Sequence, residues 1–242
     1  MEDKKEDKME DKKEEKKEDK KEDKMADKKE DKMQDKKEDK KEDKMQDLEA
    51  PQAIIPLKNF PTPDSNKKPI NYKDYFNYIQ GDITTMKADI IVNSSTSSME
   101  PLTGVSKSIH IKCGSSLLKY LKKNYYAILP GSFVESPNFK LKCKVILHVC
   151  GPNKEDEQLL YTIYEQCLNY CFNHNYHSII FPCISTGGRH FEEGRACYIA
   201  VNTCKTWIEK YHNYWKGNIT FCCFTNESLD LYKKAFKDLL NL

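Results

Sequence analysis

Apolar positions enter this chain late, and then in short bursts. Beyond Asn71 the runs at Tyr75–Gln80, Asp89–Asn93, Gly131–Glu135, Lys144–Cys150, Ser178–Ile184 and Asn218–Phe224 read as strands. Three of them, with cores DIIVN, VILHV and SIIFPCI, are nearly continuous in apolar residues. That is the pattern of strands covered on both faces rather than on one. Between and after them, Gly104–Lys123, Glu157–Asn175, Glu193–Tyr214 and Glu227–Asn241 have helical length and periodicity. The order strand, strand, helix, two strands, helix, strand, helix, strand, helix predicts an α/β sandwich around a largely parallel sheet.

The first 47 residues have no such pattern. From Glu2 to Met45 a four-residue unit, two acids and then Lys-Lys or Lys-Met, recurs with few departures. A period of four sets like charges at i and i+4, which opposes a helix, and there is no apolar stripe to offset the entropy of ordering. Residues 1–47 therefore read as a disordered, solvated polyampholyte tail, and 48–70, with five prolines, as an extended linker. The whole chain has a formal net charge of +2. The tail holds 18 Lys against 21 Asp and Glu, a net of −3, so the remainder carries +5. Acids interrupt every Lys pair of the tail, which argues against a polybasic membrane patch. All ten cysteines, both tryptophans and every Tyr and Phe lie beyond the tail. No run is long enough for a membrane span, and the N-terminus lacks the apolar segment of a secretory signal. The expectation is an intracellular protein, cytoplasmic or nuclear, with its cysteines as thiols.

In parallel α/β sheets ligands bind outside the carboxyl ends of the strands, so the loops that follow strands carry the chemistry. Three qualify. Asn93–Ile109 is small and hydroxylic until Gly104 opens a helix, where the amides of Gly104, Val105 and Ser106 are free donors for an anion. Ser185-Thr186-Gly187-Gly188-Arg189-His190-Phe191 again joins a buried strand to a helix through glycines, with Arg189 adding a charge; two such loops side by side suit a diphosphate. Gly81-Asp82-Ile83-Thr84 ends the first strand. Asp82 there either caps the next turn or accepts a hydrogen bond from an exocyclic base amine.

Together these segments resemble the macrodomain family of ADP-ribose-binding folds. The resemblance is carried in order by GDIT (81–84), ADIIVN (88–93), GVSKSI (104–109), ILHVCGP (146–152), FPCISTG (181–187) and NITFCCFTNES (218–228). It spans about Tyr75 to Asn241, within a domain drawn at 71–242. It implies a three-layer α/β/α sandwich with a mixed, largely parallel six-stranded sheet. It further implies adenine recognition by Asp82 and Ile83, bordered by Phe224 and Asn226. Asn93 would be the strand-end Asn, Gly104 to Ser106 the first phosphate loop, Ser185 to His190 the second, and Phe191 a neighbour of a ribose. The ligand implied is ADP-ribose, free or on a modified protein, with no cofactor and no metal, bound by a monomer.

Hydrolytic members usually read VNAAN, a run of glycines and VDGAIH. Here the span is VNSST, PLTG and VSKSIH, so Thr96 and Ser106 stand where the pattern has an Asn and an Asp. A hydroxyl with a pKa far above 7 cannot replace the Asp as a base, a loss worth on the order of 10²- to 10⁴-fold in rate. Pro101, Leu102 and Thr103 put side chains where the pattern has glycine. The first loop resembles instead that of reader macrodomains in macrodomain-bearing ADP-ribosyltransferases. The expectation is a binding module with no assigned catalytic residue, the alternative a weak or altered ADP-ribosyl-protein or O-acetyl-ADP-ribose hydrolase. Glu100 and His110 are the nearest substitutes for a base.

Two further constellations carry less. Cys167, Cys171, His174 and His177 invite a zinc reading, but their spacing lacks the loop that separates ligand pairs in common fingers, and buried helical cysteine fits better. His148 reads as structural. Nucleic-acid binding is the third class, disfavoured by dispersed lysines and the lack of an aromatic platform.

Overall fold

The computed structural model describes residues 69–152 and 156–242, so the tail and nearly all of the linker lie outside the described residues. Six strands form one sheet: β1 (Phe76–Gln80), β2 (Ile90–Ser95), β3 (Phe133–Pro137), β4 (Val145–Cys150), β5 (Ser178–Pro182) and β6 (Asn218–Cys223). Their order is β1-β6-β5-β2-β4-β3. Every pairing is parallel except β3 with β4. Those two are joined by a short connection, which an antiparallel pair permits and a parallel crossover does not.

Alternation along the strands builds the other two layers. Ile90, Val92, Leu147, Val149, Ile179, Phe181, Ile219 and Phe221 face one way. They pack with buried residues of α3 (Glu157–Asn173), α4 (Glu193–Tyr211) and α5 (Asn226–Leu240). Ile91, Ile146, Cys150, Ile180 and Cys222 face the other way, onto α1 (Gly104–Cys113) and α2 (Ser115–Asn124). All six residues of β4 are buried, as the continuous apolar run requires. The three-layer sandwich with a mixed, largely parallel sheet is therefore the fold. Among the described residues no helix is long and apolar enough to cross a membrane.

Boundaries moved in two instructive places. The helix expected at Gly104–Lys123 is two helices, because Gly114 adopts φ 81°, ψ 180°, a conformation that suits glycine and ends one helix while starting the next. The strand expected to run to Ile184 stops at Pro182, whose nitrogen has no hydrogen for the ladder.

Capping separates the helices further. Asp156 accepts from the Leu159 amide at the start of α3, Glu192 from Gly194 and Arg195 at α4, and Thr225 from Ser228 at α5. Thr103 precedes α1 without a side-chain cap. The first amides of α1 are left for another partner.

Candidate functional site

The carboxyl ends of β1, β6, β5, β2 and β4 lie along one edge of the sheet, and the three loops expected from the sequence leave from it. At one end β1 and β6 are neighbours: the Gly81 amide donates to Cys223 O at 3.0 Å, and Gln80 Nε2 to Phe224 O at 3.5 Å. This places Asp82 and Ile83 beside Phe224. Asp82 is exposed and its Oδ1 accepts from the Thr84 amide at 2.9 Å, capping a 3-10 turn over Ile83–Thr85. The capping reading of Asp82 is thus realised, while Oδ2 takes no hydrogen bond among the described residues. Ile83 is buried beneath, and Phe224 stands 83% exposed, an apolar ring that nothing among the described residues covers. Asn226, also exposed, opens α5.

In the middle, the two glycine loops meet. A Cβ placed on Gly188 would lie 3.8 Å from Thr103 Oγ1, so the second loop runs beside the uncapped start of α1. A Cβ on Gly104 or on Gly187 would meet nothing within 4 Å, which marks open space over both loops. Two features of the second loop emerge only in the fold. Its helix end is not free, because the Glu192 carboxylate occupies the first amides of α4; what faces the opening is the loop Ser185–His190 itself. Arg189 does not reach outward as a free charge either: its Nη2 donates to Ser95 O at 3.3 Å and lies 3.1 Å from Cys150 Sγ, tying this loop to the ends of β2 and β4. Ser185 and His190 take left-handed backbone conformations, φ 68° and 56°. His190 is exposed, Thr186 bonds back to Cys183 O, and Phe191 is buried in the core, so its ring supports the loop from below.

At the far end the site becomes buried and polar. Asn93 is fully buried on β2, opposite His148 on β4. Its Nδ2 donates to His148 Nδ1 at 3.0 Å and lies 3.5 Å from Ser106 Oγ of α1. Burial, with His110 nearby, pushes the His148 pKa down to about 3, so the ring is neutral. Nδ1 accepts and the proton sits on Nε2, 2.8 Å from Ser136 Oγ, which donates onward to Pro137 O. Among the described residues this buried relay leaves Asn93 Oδ1 without a partner, and Ser95 Oγ, Ser185 Oγ and His110 Nε2 are unpartnered and buried too. Orphaned buried acceptors and hydroxyls are costly unless a ligand or water meets them. Burial also lowers the His110 pKa against the pull of Glu100, and Glu100 is itself paired with Lys122 at 2.9 Å. Thr96 and Ser98 share a hydrogen bond inside their own loop, which Met99 anchors by burying its side chain.

The Macro domain family model matches residues 92–200. The O-acetyl-ADP-ribose deacetylase of Salmonella newport is 32% identical over 164 residues, which cover 64% of this chain and 90% of that protein. The chain belongs to the macrodomain family. The human ADP-ribose glycohydrolase MACROD2 is 31% identical over 169 residues, 67% of this chain and 39% of that one. Among solved structures, a mutant of the Oceanobacillus iheyensis macrodomain with ADPR superposes with a TM-score of 0.66 at 26% identity, covering 72% of this chain and 98% of that chain.

The macrodomain thus assembles its expected residues in three groups along one edge: Asp82, Ile83, Phe224 and Asn226; Gly104, Val105 and Ser106 beside Ser185 to His190; and Asn93 against Ser106. His148, read from sequence as structural, is buried and holds Asn93 in place with Ser136 behind it, while Ser95 and Gly151, not singled out from sequence, lie beneath the second loop. A Cβ on Gly151 would fall 2.0 Å from Ser185 Oγ, so Gly151 is required by the close seat of that serine. The only sequence signal for His148 was a polar residue in an otherwise apolar buried strand. Cys167 and Cys171 are buried in α3, and His174 stacks on Tyr170 with centroids 3.9 Å apart. Among the described residues no group of three His, Cys, Asp or Glu side chains could hold a metal ion.

Proposed function

We propose that this macrodomain binds ADP-ribose, free or as the group carried on a modified protein, and reads it without removing it efficiently. The observation that carries the reading is the open space over Gly104 and Gly187, between an uncapped helix start and a loop of backbone donors. A diphosphate placed there would put the adenine toward Asp82 and Phe224 and the distal ribose toward Asn93. The relatives' names and the ADPR-bearing structure support the ligand class. Ser106, in place of a carboxylate, supports the reader side of the proposal, as does the engagement of Glu100 by Lys122.

A second reading has its own support. Relatives of this chain are named O-acetyl-ADP-ribose deacetylase, and His110, held neutral by burial with Nε2 unpartnered, shares the buried face of α1 with Ser106 one turn earlier. An unprotonated imidazole in that place would support slow hydrolysis.

Isothermal titration of the full chain with ADP-ribose tests the first reading, with Asp82→Ala as its comparison. Affinity weaker than about 1 mM, roughly −4 kcal/mol, overturns it. Incubation with O-acetyl-ADP-ribose and with a glutamate-linked mono-ADP-ribosylated protein decides between the two, because turnover that scales with protein concentration moves the assignment to hydrolase.

A further inference from the structure

Cys183 and Cys223 meet where the second loop and the Phe224 segment leave the sheet. β5 and β6 are parallel neighbours whose last registered pair is Pro182 with Cys222. Cys183 and Cys223 are therefore opposite one another one step further on. They also share a face, since Phe181 and Phe221, two residues earlier on each strand, both pack into the larger core. Strands in a sheet lie about 4.8 Å apart, within the Cα separation that a disulfide accepts. The two thiols are close enough to interact, and that contact, with smaller contributions from Ser228 and Tyr232, lowers the Cys183 pKa against burial and Glu193. The same contact and burial raise that of Cys223. Cys197 of α4 lies close to both.

Access selects the same residue. Of the ten cysteines, all free thiols, eight are buried; Cys143 and Cys183 are partly exposed. Burial pushes the Cys143 pKa up to about 12, which keeps it a thiol. Thiolates react more readily than thiols, so of the two partly exposed cysteines Cys183 has the surroundings that favour attack.

We propose that Cys183 and Cys223 form a peroxide-sensitive dithiol whose oxidation to a disulfide weakens ligand binding at the loops they support. The thiolate of Cys183 attacks one oxygen of hydrogen peroxide, the O–O bond breaks, and the departing hydroxide takes a proton to become water. The resulting sulfenic acid is attacked by Cys223 sulfur; the S–O bond breaks, a second water leaves, and the S–S bond forms. Two thiols thereby supply the two electrons that reduce one peroxide to two waters. Closing the sulfurs to about 2 Å on strands already near the short end of the disulfide range turns both side chains and strains the ends of β5 and β6. Ser185 follows Cys183 by two residues and Phe224 follows Cys223 directly, so the second loop and the exposed ring both shift. The control of binding rests on the ADP-ribose reading above; the disulfide itself does not.

The test uses the reduced full chain, titrated with hydrogen peroxide, alkylated, digested and mapped by mass spectrometry. A crosslink joining Cys183 to Cys223 with loss of two hydrogens should form before any oxidation at Cys143 and reverse with dithiothreitol. Cys223→Ser should give no crosslink and a dimedone-trappable Cys183 sulfenic acid. The crosslinked protein should bind ADP-ribose at least about fivefold more weakly than the reduced protein. Absence of the crosslink, earlier oxidation of Cys143, or unchanged affinity after crosslinking each overturns the proposal. If the reduced chain binds no ADP-ribose, the ligand reading fails and with it the control of binding, while the crosslink remains readable by mass alone.

Discussion

The two ends of the site edge are built on opposite principles. At the β1–β6 end the groups proposed for recognition are exposed: Asp82 has a carboxylate oxygen with no hydrogen bond among the described residues, and Phe224 is 83% exposed. At the β2–β4 end they are buried: Asn93, Ser106 and His148 lie inside, with acceptors and hydroxyls unmet by protein partners. Exposed groups cost the fold little, so the first end can change with small effects on stability. Buried polar groups cost the fold unless paired, so at the second end stability and binding are tied to the same atoms.

The largest expected effect lies at the buried end and concerns pH. The His148 pKa falls from an ordinary 6.5 to about 3 in the folded chain. Between those values the unfolded chain takes up a proton that the folded chain refuses. Its contribution to stability is complete above pH 6.5 and is lost as pH falls toward 3. At about 1.4 kcal/mol per unit, the full loss is on the order of 5 kcal/mol. Urea unfolding from pH 7 to pH 4 should show this slope, and His148→Gln should flatten it; an equal slope in the variant would assign it to other groups.

Asn93→Ala comes next. It leaves His148 Nδ1 buried without its donor, at about 1–3 kcal/mol of stability. It should also lower ADP-ribose affinity by about 10- to 100-fold, equivalent to about 1.4–2.8 kcal/mol, with a much smaller loss for ADP, which lacks the distal ribose. Equal losses for both ligands would mean that Asn93 does not face that ribose.

Two glycines sharpen the contrast. Gly151→Ala should destabilise by about 1–3 kcal/mol through its clash with Ser185 Oγ, and Ser185→Gly in the same chain should restore much of that. Gly187→Val enters open space, so thermal stability should hold within about 0.5 kcal/mol while ADP-ribose affinity falls about tenfold. An unaffected affinity would remove the diphosphate from that loop.

The smallest effect belongs to the exposed end. Phe224→Ala should leave stability unchanged and cost about 1 kcal/mol of binding, roughly fivefold, from lost stacking on the base. A stability loss in calorimetry would show that the ring packs on the protein and not on a ligand.

Much of this was legible in the sequence because it is local. Continuous apolar runs such as DIIVN and VILHV report two-sided burial whatever their neighbours, and the glycines of GVSKSI and STGG mark turns by their own backbone freedom. Boundaries failed where one residue overrode the pattern, as Gly114 did within the helical stretch and Pro182 at the end of β5. The partners of Arg189, Ser95 O and Cys150 Sγ, were not legible because they come from strands 94 and 39 residues away.

The sequence alone determined the layers and the three strand-end loops, set by residue type and short-range spacing; that Ser106 replaces a carboxylate followed from the resemblance to hydrolytic members. Only the tertiary structure decided that Asn93 faces His148, that Arg189 braces the loop it was expected to arm, and that Cys183 meets Cys223. Each of these is a contact across the register of strands distant in sequence. The register is set by packing the buried faces of the whole sheet at once, and no local pattern encodes it.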